Sequence, residues 1–300
     1  MTLSTIPNNL KRVAIAGGTG ALGQNLTEEF LKIEGIKLKV LTRKSTGEVS
    51  NPQLKEKFIK RGAEVVEVDY NNQDELNAAL KEIDVVVSAL NSLDFVKINL
   101  VLLNAAVKNN VNLFIPSEFF SKLEGTNNPF TAPKAEIRKH LEKSGLNYIY
   151  YNCGFFYEHI TSELFGIDVI NNKAKIVGSG NTKLNITRIR DVASFIAQTY
   201  HFPEVKNAHV NISSQVTTMN EIVKQIGEVG QKPLEIEYID LKEIEKLIVE
   251  KAEDIYYLLF AHCGRDIELG NVYIEKDSNY LLPGFKFESL KEYIRQTYFN

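Results

Sequence analysis

Arg12-Val13-Ala14-Ile15-Ala16-Gly17-Gly18-Thr19-Gly20-Ala21-Leu22-Gly23 is a short apolar run that breaks into glycines and restarts with helical spacing. Gly17, Gly20 and Gly23 give G-x-x-G-x-x-G. In a strand-turn-helix these glycines serve three separate ends, namely a tight turn, close approach of backbone to a pyrophosphate, and close packing of helix on strand. Thr19, Ala21 and Leu22 complete the turn, and the free N–H groups of the helix start can face an anion. For an isolated match, the alternative is a surface loop whose glycines serve turn geometry alone.

The flanking sequence favours the phosphate turn. Residues 21–34 carry Leu22, Leu26, Phe30, Leu31 and Ile33 at helical spacing, and residues 36–41 return to strand character, which makes a β-α-β unit. An NAD site usually places an acid at the end of the second strand, about 20 residues beyond the glycines, to hold the ribose 2'-hydroxyl. Here that position reads Leu41-Thr42-Arg43-Lys44. Arg43 and Lys44 suit a 2'-phosphate, because arginine can hold it through paired charge-assisted hydrogen bonds. The cofactor expected is NADP(H); a solvated basic turn is the alternative.

Strand and helix alternate through the first half. Strands are predicted over 64–68, 84–90, 111–116 and 146–152, and helices over 74–82, 93–109 and 133–144, the last with Pro133 at its first turn. Alternation of this kind implies a parallel sheet covered on both faces, an α/β fold of the doubly wound Rossmann type. Beyond about residue 155 the pattern weakens. Short strands are expected at 175–177, 184–187 and 209–212, and helices at 191–200, 219–227 and 241–252; 234–239 and 289–298 are further segments to which the sequence assigns no type. The expected organisation is a dinucleotide-binding domain over 1–155 and a smaller α/β substrate-binding region over 156–300, interleaved with late sheet elements.

Composition narrows the function classes. The 300 residues are 44% hydrophobic and 24% charged, with a formal net charge of -3, so nothing favours nucleic acid or an acidic membrane surface. No stretch reads as a membrane span or a cleaved leader, and residues 1–9 are polar, so a cytoplasmic location is the expectation. Cys153 and Cys263 are too few for a disulfide framework, and the five histidines lack ligand spacing, so no metal is expected. A small-molecule substrate is the expected partner, with the chain acting as monomer or homodimer.

Ligands of open parallel sheets bind beyond the carboxyl ends of the strands. That rule selects Gly17 to Gly23, Thr42 to Lys44, Ser88-Ala89-Leu90-Asn91 beside the ribose, Pro116 to Phe119, and Asn152 to Phe156. Asp69-Tyr70 is a candidate for adenine contact or an ordinary turn. Proton transfer in such enzymes often uses Tyr-x-x-x-Lys. The literal match, Tyr238 to Lys242, lies too far downstream. In the expected region Phe130-Thr131-Ala132-Pro133-Lys134 has phenylalanine where the tyrosine belongs, which leaves Lys134 as the acid/base candidate and a surface lysine as its alternative. Arg138, one turn on, is expected to serve helix packing or solvent. The aromatics Tyr148, Tyr150, Tyr151, Phe155, Phe156 and Tyr157 could line an apolar pocket, although strand alternation puts about half of them in the core.

Gly17 to Gly23, Ile115-Pro116-Ser117-Glu118-Phe119 and Pro133-Lys134-Ala135-Glu136-Ile137-Arg138 together resemble the isoflavone reductase-like branch of the NmrA-like family, among the atypical short-chain dehydrogenases. The resemblance implies NADPH, Lys134 as catalytic acid or base, Arg43 and Lys44 on the 2'-phosphate, and Phe155 and Phe156 walling the nicotinamide. It implies a reductase of small aromatic or conjugated substrates. It also supplies an alternative, a non-catalytic NADP(H) sensor of the NmrA type. The chain departs from the family pattern at Phe120, where glycine is common, and around Cys153-Gly154.

Overall fold

A computed structural model describes residues 6–44, 51–92, 94–121, 128–251 and 253–299. The chain begins with alternating strands and helices: β1 (Arg12–Ala16), α1 (Ala21–Phe30), β2 (Lys37–Arg43), α2 (Pro52–Lys60), β3 (Glu64–Val68), α3 (Gln73–Ala79), β4 (Val85–Ser88), α4 (Phe95–Lys108), β5 (Leu113–Ile115), α5 (Ala132–Lys143) and β6 (Asn147–Asn152). It continues through β7 (Phe155–Phe156), α6 (Tyr157–Ile160), β8 (Ile167–Asp168), β9 (Lys173–Val177), β10 (Leu184–Thr187), α7 (Ile189–Thr199), β11 (Ala208–Asn211) and β12 (Gln215–Thr217). The last elements are α8 (Met219–Val229), β13 (Glu235–Ile239), α9 (Leu241–Glu250), α10 (Ile255–Glu268) and α11 (Leu290–Tyr298).

Two units emerge. The first comprises residues 1–118, 133–151 and 192–210, and the second 119–132, 152–191 and 211–300. Residues 192–210, which hold most of α7 and of β11, return to the first unit after the second has begun.

The main sheet has the order β11-β6-β5-β4-β1-β2-β3, and the pairs β1–β2, β1–β4, β2–β3, β4–β5 and β5–β6 are parallel. Val13, Ala14, Ile15 and Ala16 are fully buried, as expected of a central parallel strand covered on both faces. Ala14 and Ala16 join Val86 and Phe114 in a core with Leu76 of α3 and Leu102 of α4, while α1 packs against β1 and β2 on the side that its Leu26 and Phe30 fill. The start of β1 is pinned to the residue preceding β4. Buried Asp84 accepts from the Arg12 backbone N–H at 2.9 Å and from its guanidinium at 2.6 and 3.1 Å.

The second unit holds two small sheets, β12-β10-β7 and β13-β9-β8. Phe155, Phe165, Ile176, Leu184, Ile186, Ile222 and Ile294 are among the residues of its core. Capping boxes at Thr218/Glu221 and Ser289/Glu292 start α8 and α11, each satisfying two otherwise unpaired N–H groups.

Helices α2, α6 and α10 fall on stretches for which the sequence predicts no element. Asn51 caps α2, its side chain accepting from Leu54 N–H, with Pro52 in the first turn; the single buried residue Phe58 makes too narrow an apolar stripe to read. The start of α10, Ile255 to Ala261, is almost uniformly apolar and shows no helical period. Leu93, Ala252 and residues 1–5, on which other sequence expectations fall, lie outside the described residues. No helix among the described residues is long and apolar enough to cross a membrane.

Candidate functional site

Because the strands run parallel, the carboxyl ends of β1, β2, β4 and β5 share one edge of the sheet. The glycine turn, Arg43, Ser88 to Leu90 and the segment leading to Glu118 all leave from that edge. The fold thus gathers residues that are up to about a hundred positions apart in sequence.

The turn is held by one carbonyl. Leu41 O accepts from Gly17 N–H at 3.1 Å, from Gly18 N–H at 3.2 Å and from the Tyr70 hydroxyl at 2.9 Å. The same hydroxyl accepts from Gly17 N–H at 2.8 Å. Gly17 has φ +77°, and a Cβ there would meet Ala89 O at 2.9 Å. A Cβ on Gly23 would overlap the Gly17 carbonyl, so this glycine seats α1 directly on the turn. Gly18, outside the three-glycine spacing, is equally constrained, since a Cβ would overlap Val40 Cγ1. Around Gly20 there is room, the nearest atom being Gly17 O at 3.3 Å. Gly20 caps α1 without a side chain to satisfy the N–H groups of Ala21, Leu22 and Gly23, which have no intrahelical acceptors. Thr19 Oγ1 lies 3.2 Å from Thr42 Oγ1, which ties the turn to β2.

Arg43 and Lys44 are both exposed but differ in occupation. Lys44 Nζ is 2.6 Å from Glu75 Oε1, and that hydrogen bond raises the lysine pKa and, with the Asp69 N–H, lowers that of Glu75. Arg43 has no ion pair among the described residues. Ser88 is buried and donates to Asn99 Oδ1 at 2.7 Å; Ala89 N–H bonds Ala16 O at 2.8 Å, and Leu90 is buried. Tyr70 is also buried, and burial raises its pKa well above the ordinary phenol value. It therefore acts as a neutral brace under the glycine turn; Asp69 shapes its own turn by accepting from Asn71 N–H at 2.9 Å.

Lys134 lies in the first turn of α5 and donates to the backbone carbonyl of Glu118. Arg138 is not a solvent residue. Its Nε donates to Glu118 Oε1 at 3.1 Å, the two side chains are 12% and 3% exposed, and its guanidinium carbon stands 5.9 Å from the Tyr150 ring centroid. The signal available in sequence was the i, i+4 spacing of Lys134 and Arg138, which puts both on one helix face. Tyr238 and Lys242 fall in β13 and α9, so their spacing is not one helical turn, and Tyr238 donates instead to Asn220 at 3.0 Å.

In the second unit, Phe130 precedes α5 and its ring lies 6.2 Å from His262. Asn152 is buried and donates to Asn211 Oδ1 at 2.9 Å. Phe155 is buried with its ring 4.7 Å from Phe120 and 5.4 Å from Phe165, whereas Phe156 is half-buried. Of the six aromatics read along this stretch, Tyr150, Tyr151, Phe155 and Tyr157 are buried, which leaves Tyr148 and Phe156 with the accessible rings.

Comparison with known proteins places this geometry among relatives. Residues 9–294 match the NmrA-like family. Pinoresinol reductase 2 of Arabidopsis thaliana is 29% identical over 308 residues, covering 95% of this chain and 96% of the relative. Isoflavone reductase of Medicago sativa is 29% identical over 322 residues, with 95% and 98% covered. Among solved structures, AtPrR2 with NADP+ and (+)pinoresinol superposes with a TM-score of 0.83 at 26% identity, covering 95% of this chain and 98% of that one.

Proposed function

Because this chain belongs to the NmrA-like family, in its isoflavone reductase-like branch, we propose that it is an NADPH-dependent reductase of small aromatic or conjugated substrates, with Lys134 as general acid/base. The observation that carries the reading is the anchoring of Lys134 just beyond β5, on the sheet edge that also bears the glycine turn and Arg43. NADPH, when bound, supplies the hydride. The residues fit that cofactor: a side-chain-free cradle at Gly20 opens onto the uncapped start of α1, and Arg43 is a cation without a carboxylate partner among the described residues.

In this reading the N–H groups of Ala21, Leu22 and Gly23 hold the pyrophosphate, and Arg43 takes the 2'-phosphate with Lys44 as a lesser contributor. Ser88, Ala89 and Leu90 flank the ribose. Lys134 moves a proton to or from the substrate, a role that Phe130 cannot fill. Phe156 offers the accessible ring for the nicotinamide, while Phe155 and Asn152 are buried behind it. The first unit is the cofactor domain and the second the substrate-binding region.

The test is titration of the pure protein with NADPH and NADH, followed by NADPH oxidation assays with quinones, enones, isoflavones and phenylpropanoids, (+)pinoresinol included. Turnover in the panel that falls by about a hundredfold or more in Lys134→Ala supports the reading. Full turnover in that variant removes the acid/base role. Tight NADPH binding without turnover of any compound returns the chain to the sensor class.

A further inference from the structure

We propose that Glu118 and Arg138 are positioning residues that fix the place of the Lys134 ammonium. The proposal rests on the acid/base reading of Lys134. Glu118 is joined to α5 twice: its backbone oxygen accepts from Lys134 and its carboxylate from Arg138, four residues later on the same helix. A third contact shapes the acceptor itself, because Glu118 N–H bonds Pro116 O at 2.8 Å and folds the backbone into a tight turn just past β5. The next residue, Phe119, has φ +31°, a conformation that non-glycine residues keep only when their surroundings hold them in it.

The carboxylate is almost wholly removed from water, so its orientation is set by Arg138 rather than by solvent. Arg138 is in turn steadied by the Tyr150 ring. A flexible four-carbon lysine loses its position easily. Here the carbonyl that receives it belongs to the residue whose side chain is locked. Removing either partner of the buried pair frees the Glu118 peptide to rotate, and Lys134 loses its fixed acceptor.

Competitive labelling with acetic anhydride, which acetylates neutral amines, tests this without a substrate. Lys134 is read by mass spectrometry against Lys139 and Lys143, both on the same helix. Labelling of Lys134 relative to these references is expected to rise about tenfold in Arg138→Ala and Glu118→Ala, the size of a lost charge-assisted hydrogen bond. Glu118→Gln keeps an oxygen for Arg138 and is expected to stay near wild type. Should the alanine variants not fold, Arg138→Gln is read in their place, with cooperative melting as the criterion of folding. Unchanged relative labelling in folded Arg138 and Glu118→Ala variants overturns the proposal. Failure of the underlying reading has a different signature: Lys134→Ala then retains turnover, whatever the labelling shows.

Discussion

Lys44 Nζ stands 2.6 Å from Glu75 Oε1, whereas Arg43, its neighbour in sequence, meets no carboxylate among the described residues. Two adjacent cations that read alike in sequence therefore differ in what they can offer a phosphate. Recruiting Lys44 requires giving up a formed hydrogen bond; recruiting Arg43 does not. Arg43→Ala is expected to weaken NADPH binding by about ten- to a hundredfold with little effect on NADH. Lys44→Ala is expected to cost no more than about threefold, and Glu75→Gln to tighten NADPH binding slightly by releasing Lys44. Calorimetric titration of the three variants decides it, and a larger loss in Lys44→Ala than in Arg43→Ala would sink the ranking.

The glycine turn separates folding from binding. Gly23→Ala drives a methyl into the Gly17 carbonyl and is expected to destabilise the first unit by about 2 kcal/mol while reducing NADPH affinity. Gly20→Ala meets only Gly17 O at 3.3 Å and is expected to change stability by less than about 1 kcal/mol. It should nonetheless weaken NADPH binding, because the methyl stands where the pyrophosphate approaches the backbone. Urea unfolding and cofactor titration of both variants check the contrast. Equal stability losses in the two would contradict it.

Tyr70→Phe removes a buried hydroxyl that donates to Leu41 O and accepts from Gly17 N–H. Both backbone groups keep longer contacts, since Leu41 O still accepts from Gly17 N–H at 3.1 Å and from Gly18 N–H at 3.2 Å. A stability loss of about 1 to 2 kcal/mol is expected, together with a few-fold weaker hold on NADPH. A contact between Tyr70 and adenine would give the opposite pattern, with binding lost and the unfolding midpoint unchanged.

Burial raises the Glu158 carboxyl above its ordinary range, and neighbouring Asp191 adds to this against the lowering effects of the Ile189 N–H and Arg188. Its folded pKa exceeds its unfolded one, so the fold penalises the ionised form. That penalty is absent below the unfolded pKa, grows as pH rises through the folded pKa, and is complete above it. Glu158→Gln keeps an acceptor for Ile189 N–H, and Arg188 retains its ion pair with Glu288. The variant is expected to melt slightly higher than wild type at neutral pH, with the gain fading as the pH is lowered through the folded pKa of Glu158. Melting curves of both proteins across that interval provide the check, and a pH-independent difference would count against the assignment.

The β-α-β start was legible because its physics is local. Buried parallel strands need continuous apolar runs, such as Val13 to Ala16, and the turn behind them needs glycine at Gly17 and Gly23 for conformation and close contact. The weaker alternation after residue 155 hid α10 and the two-residue strands β7 and β8; β7 pairs with β10, well along the chain, and β8, which pairs locally with β9, is too short to show a period. The sequence left Arg138 between helix packing and solvent because its partner Glu118 lies off the helix, in the loop after β5, twenty residues before it.

The amino-acid sequence by itself determined that this chain forms a glycine turn between a buried strand and a helix, ends its second strand in Arg43 and Lys44 with no acid, and has Phe130 four residues before Lys134 where a tyrosine would pair with it. Only the tertiary structure decided that Lys44 is paired to Glu75, that Tyr70 braces the turn, and that Glu118 receives Lys134 while locked by Arg138. Residue type and spacing encode what a segment can form alone. Which charged or polar group is left available to a ligand depends on partners that only folding brings within hydrogen-bond reach.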